Sequence, residues 1–121
     1  MTKDVRLKLL EKLALQTDRN EISWSLRRIR YGTYVSANLE VIYAGEIAGV
    51  GTFRVAKFTD DSAEVDLMFE KSTRREVLCH KNEIDRDIFK AGNYLALAVE
   101  YQVNLEHSDE EIKAIDKYLN S

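Results

Sequence analysis

The sequence predicts an α+β domain with two N-terminal helices, a five-stranded, mostly antiparallel small barrel or curled sheet, and a C-terminal helix. Two changes of hydrophobic period carry this expectation. Apolar residues recur at helical spacing from Val5 to Ile29, at a spacing of two from Thr33, and at helical spacing again beyond Ser108. A third observation sets the scale: 121 residues with 45% hydrophobic content and no proline can bury a real core as one domain, residues 1–121, without disulfides or metals.

Between Lys3 and Gln16, Val5, Leu9, Leu10 and Leu13 fall in one stripe with Lys8, Glu11 and Lys12 largely opposite, which is an amphipathic helix. Asp18 followed by Glu21 resembles a capping box, and Ile22, Leu26 and Ile29 precede Gly32, so a second helix is expected over about Arg19–Tyr31. The competing reading is a strand, because Ile22, Trp24 and Leu26 also alternate. From Thr33, Val35, Ala37, Leu39, Val41 and Tyr43 share one face of a strand, and Ala44-Gly45-Glu46 can turn the chain. A second strand follows within Ile47–Phe58, where Gly49 and Gly51 allow a bend. After the polar turn Thr59-Asp60-Asp61-Ser62, Val65, Leu67 and Phe69 alternate with charged residues, and Lys71-Ser72-Thr73 leads into a short strand over Arg75–His80.

Asn82 to Ala91 reads as a helical turn plugging one end of a barrel. Gly92-Asn93 then opens the longest alternation in the chain, with Leu95, Leu97, Val99, Tyr101, Val103 and Leu105 on one face, and this is taken as the fifth strand, Tyr94 to Leu105. Ser108 with Glu111 starts a closing helix marked by Ile112, Ile115 and Leu119. From Gly51 to Gly92, the order Phe58, Asp60, Val65, Leu67, Val77, Ile84 and a lysine-alanine-glycine turn resembles the central strands of SH3-like or OB-like barrels. That resemblance implies an architecture and no particular activity.

Composition narrows the function classes. The single cysteine, Cys79, has no intrachain partner, so a cross-linked secreted scaffold is not expected and an intracellular, cytoplasmic setting is. No apolar run approaches the roughly 20 residues that span a bilayer, and the N-terminus lacks the character of a signal peptide, so no membrane partner is expected. Net charge is −3, divided into +4 over residues 1–31 and −7 over the rest, so an anionic partner would meet the N-terminal part.

No catalytic, cofactor or metal motif emerges. Cys79 and His80, adjacent in a strand, point to opposite faces and cannot form a nucleophile–base pair. Two histidines with one cysteine make no standard zinc set, the carboxylates lack calcium-loop spacing, and Gly45, Gly49 and Gly51 lack the lysine and helix of a phosphate cradle. Asp60–Asp61 and Asp85–Asp87 lie among charged turn residues that keep them solvated.

The expected function is therefore a non-enzymatic interaction protein, an adaptor, inhibitor or assembly factor. Its partner-binding residues are Trp24, Arg27, Arg28 and Tyr31, since Arg and aromatic side chains combine contact area with directional polar groups. The plain alternative has Trp24 and Tyr31 packed on the sheet. Self-association is expected through the Tyr94–Leu105 strand if its edge is open. A nucleic-acid reading uses Arg27, Arg28 and Arg30, joined by Lys71, Arg74, Arg75 and Lys81 if the fold gathers them. A third reading is a small-ligand pocket inside the barrel, lined by Tyr43, Phe53, Phe69 and Tyr101.

Overall fold

The computed structural model describes residues 1–27 and 39–121. Among them run α1 (Lys3–Asp18), β1 (Trp24–Arg27), β2 (Leu39–Ile47), β3 (Gly51–Phe58), β4 (Ala63–Phe69), β5 (Arg75–Cys79) and α2 (Arg86–Leu119). The strands form one antiparallel meander in the order β1-β2-β3-β4-β5. β1 and β5 are its edges and do not pair, so the sheet stays open and the expected barrel does not close. Both helices pack together and against the sheet, α2 touching β1, β3, β4 and β5 and α1 touching β5. Phe53, Val55, Val65 and Leu67 from the sheet meet Leu10, Leu13, Ile88, Leu95 and Val99 from the helices in one core.

α1 behaves as its stripe predicts. The Thr2 hydroxyl caps it by accepting from the Val5 N–H, and Leu10, Leu13, Ala14 and Thr17 are buried. The second N-terminal helix is a correction: its described part forms β1 instead, and residues 28–31 lie outside the described residues. Asp18 is the last residue of α1 rather than a cap, and Asn20, at φ 56°, swings the chain into the sheet. From there Ile22 and Trp24 are buried while Ser23 and Ser25 are exposed, so the alternation outweighs the capping pattern.

β2 is described from Leu39, and the earlier half of its predicted strand, residues 33–38, lies outside the described residues. The turn expected at Ala44-Gly45-Glu46 is absent. β2 continues to Ile47, and the chain reverses over Ala48-Gly49-Val50, with Gly49 at φ 80°. Gly45 serves a different purpose, lying directly beneath the Trp24 ring, where an added Cβ would come within 3.0 Å of Trp24 Cδ2 and Cε3. The remaining hairpins and β3, β4 and β5 fall where the sequence places them.

The largest correction concerns Tyr94–Leu105, which is helical. α2 is one helix of 34 residues, capped by Asp85, whose carboxylate accepts from the Asp87 and Ile88 N–H groups, and it continues through Ser108 without a new start. Its apparent strand alternation comes from two apolar stripes on opposite sides. Leu95, Val99 and Val103 face the core, while Leu97, Tyr101 and Leu105 face solvent. Gly92, which reads as a break, sits inside the helix because a methyl there would lie 2.5 Å from Cys79 Sγ. At 1.5 Å per residue α2 is about 51 Å long. Among the described side chains its last buried one is Val103, and those of residues 110–119 are all exposed, so this end of the helix is an arm with no described contact to the body.

Candidate interaction surface

Of the residues expected to bind a partner, Trp24 and Arg27 lie among the described residues. Trp24 is 2% exposed and belongs to the core, its indole N–H donating to Thr17 Oγ1 at 2.9 Å. Arg27 is exposed at the end of β1, and Arg28, Arg30 and Tyr31 lie outside the described residues. The described basic residues of the nucleic-acid reading lie apart from one another. β1 and β5 are the two edges of a five-stranded sheet, which separates Arg27 from Arg75 by about 19 Å, four strand spacings. Arg74 pairs with Glu76, Arg75 pairs with Glu64 and Asp66, and Lys81 lies 4.3 Å from the centroid of the Phe58 ring. Lys71 is exposed in the β4–β5 turn.

On the sheet face away from the helices, Arg54 and Asp66 stand opposite each other in the β3–β4 register. Arg54 donates twice, Nε to Oδ1 at 3.0 Å and Nη2 to Oδ2 at 3.0 Å, and Arg75 approaches the same carboxylate from β5. The buried Asp66 thus has both oxygens occupied by neighbouring strands, and the cluster is a cross-strand brace. The ligand-pocket reading is corrected by the open sheet: Tyr43 and Phe53 are core residues at 4% and 1% exposure, while Tyr101 is on the outer side of α2.

Cys79 is a buried free thiol and His80 is exposed. Burial pushes the thiol from its ordinary 9.0 up to about 12, with the Glu83 carboxylate adding to the effect and Arg6 opposing it. The sign follows from linkage. The folded-state value is raised, so the contribution is fully present below pH 9 and is lost as pH climbs toward 12, where only the unfolded chain has given up the proton. Between pH 9 and 11 the wild-type chain is therefore expected to lose stability faster than Cys79→Ala, by up to about 1.4 kcal/mol per pH unit. Urea unfolding of both proteins across that range measures it, and parallel slopes would refute it. Among the described residues, no group of three or more His, Cys, Asp or Glu side chains is placed to hold a metal ion, and no helix is long and apolar enough to cross a membrane.

What the structure does assemble is the outer face of α2. Tyr94, Ala98, Tyr101 and Leu105, then Ile112, Ile115 and Leu119, follow each other at alternating spacings of four and three, the heptad a/d pattern, with the intervening d place held by Ser108. Leu97 and Tyr118 flank the line. Tyr94, Leu97, Tyr101 and Leu105 are 57%, 61%, 67% and 49% exposed, and Ile112, Ile115, Tyr118 and Leu119 are 58%, 58%, 80% and 70% exposed. On the body, Tyr94 is held in place by donating from its hydroxyl to Asp18 Oδ2 at 2.9 Å, a bond that raises the phenol above its ordinary value. Leu97, Ala98, Tyr101 and Asn104 line a shallow groove beside that pair. Below it, the Lys57–Glu100 ion pair ties α2 to β3.

Sequence reasoning missed this face because the same residues also alternate. The heptad spacing from Tyr94 to Leu119 was the signal that could have found it. Set against family models, curated proteins and solved structures, the chain matches none of them.

Proposed function

We propose that this chain is a non-enzymatic interaction protein that binds a protein partner through the outer face of α2. One observation carries the reading: an exposed heptad stripe runs from Tyr94 to Leu119 over both the body and the projecting arm. Eight large apolar side chains, each about half or more exposed, offer roughly 800 Å² to a partner, about one side of a standard interface. That is more than the few hundred Å² of contiguous apolar surface typical of a monomer. A helix laid into this stripe would bury the seam as knobs into holes. With this reading we place the protein in the cytoplasm, where a lone free thiol such as Cys79 persists reduced.

Photo-crosslinking in the native cell tests the proposal. A benzophenone side chain is placed at Tyr101, at Ile112, or at Lys117 on the opposite side of the arm. Discrete adducts at Tyr101 and Ile112, lost when Leu105 and Ile115 are both changed to Glu, are the expected result. Equal labelling at Lys117, or no adduct at any position, would overturn it.

A further inference from the structure

We infer that the occupant of the α2 face is a second copy of the chain, lying antiparallel so that the arm of each copy covers the Tyr94–Leu105 half of the other. This inference rests on the reading of α2 as a docking face. The two halves of the stripe complement one another when Tyr101 is set opposite Ile112 of the second copy. Tyr94 then meets Leu119, Ala98 meets Ile115, and the flanking Leu97 meets Tyr118. By two-fold symmetry the reciprocal contacts form as well, giving an isologous interface in which Tyr94, Leu97 and Tyr101 of each body meet Leu119, Tyr118 and Ile112 of the other arm.

Charge selects this direction over the parallel one. In a parallel pair each g position faces the e position five residues further along the second helix, which sets Glu111 against Asp116 twice. Like charges so placed are unfavourable. In the antiparallel register Glu111 instead lies beside the neutral Asn104. The arm also suits the task sterically. Among the described side chains of α2 the last buried one is Val103, so two bodies would sit at opposite ends of the helix pair, and each arm would run along a face that its partner already exposes. Counting both copies, about 1,600 Å² would be buried, the size of a stable specific interface.

Light scattering on the purified chain over a micromolar concentration series is the first test. The expected mass is twice 14.0 kDa. The double variant Tyr101→Glu/Ile112→Glu should run at the single-chain mass with an unchanged helical circular dichroism signal, since both side chains are exposed. Direction is read by disulfide trapping. A mixture of Tyr101→Cys and Ile112→Cys chains should form the mixed crosslink under mild oxidation, and Tyr101→Cys alone should not link to itself.

A single-chain mass for the wild type throughout the series would overturn the second-copy assignment. So would a Tyr101→Cys homodimer, because in the stated register the two Tyr101 positions stand eleven residues, about 16 Å, apart along the helix pair. The wider reading fails separately: a wild-type dimer that persists in the Tyr101→Glu/Ile112→Glu variant would remove α2 as the docking face. A monomer whose Tyr101 benzophenone captures a different protein would overturn the second copy alone.

Discussion

Trp24→Ala is expected to lower the unfolding free energy by about 3–5 kcal/mol, the usual cost of truncating a fully buried large aromatic. The total stability of a domain this size is on the order of 5–15 kcal/mol, so the variant would stand near the edge of folding. The physical reasons are two. The ring fills the space between β2 and the end of α1, stacked on Gly45, whose missing side chain leaves room for it. The indole N–H donates to Thr17 Oγ1, which in turn donates to the Leu13 carbonyl at 2.7 Å. Trp24→Phe keeps the stacking and loses the bond, so it should cost less, about 1–2 kcal/mol. Urea unfolding of both variants measures the pair. A loss below about 1 kcal/mol for Trp24→Ala would show that the ring is not packed as described. Loss of partner binding in this variant would report unfolding, because Trp24 has almost no surface to offer.

Gln102→Leu is the second large effect, expected at about 2–4 kcal/mol. Gln102 is buried on α2, yet its amide does the work of a neighbouring strand. Its Oε1 accepts from the Trp24 backbone N–H at 3.0 Å, and its Nε2 donates to the Ile22 carbonyl at 2.8 Å, with the Thr17 carbonyl and Asn20 Oδ1 at 3.4 Å. One side chain thereby joins α2, the end of α1 and the approach to β1. Leucine fills a similar volume and leaves a buried donor and acceptor unpaired. Gln102→Glu is more informative still. It keeps the acceptor for Trp24 but turns a carboxylate oxygen toward the oxygens of Ile22, Thr17 and Asn20, which raises the carboxyl's folded-state pKa above its unfolded value. That variant should be destabilised at neutral pH and recover part of the loss as pH falls through the raised value, where the protonated group can donate again. Thermal melts from pH 7 to pH 4.5 check this, and a pH-independent deficit relative to wild type would refute the assigned contacts.

The elements that were legible before the structure share a property: each has one apolar face and one period. α1 buries Leu10 and Leu13 with Lys8, Glu11 and Lys12 outside, and β4 buries Val65 and Leu67. The turn at Asp60 to Ser62 follows from local chemistry, in which short polar side chains reverse the chain at little cost, whereas the β2–β3 reversal falls at Ala48-Gly49-Val50 and not at the expected Ala44-Gly45-Glu46. Where two periods coexist, local reading chose wrongly. Residues 22–26 fit a helical stripe and an alternation equally well, and residues 94–105 alternate only because an inner and an outer helical stripe interleave. The same ambiguity hid the candidate site. Tyr101 and Leu105 look like core strand residues next to Val99 and Val103, and the arm residues Ile112, Ile115 and Leu119 look like a separate closing helix.

By itself, then, the sequence determined an α+β class, an amphipathic first helix, the β3-to-β5 hairpins and a lone cysteine, because each depends on contacts or patterns within a few residues. Only the tertiary structure decided that the sheet stays open, that Trp24 lies inside, and that one helix continues from Arg86 to Leu119. Those outcomes depend on partners far apart in the chain: Gln102 pairing the backbone of Trp24, Gly92 making room for Cys79, and Gly45 receiving the Trp24 ring. Local propensity is worth tenths of a kcal/mol per residue, and burial against such distant partners is worth several, so the distant contacts prevail.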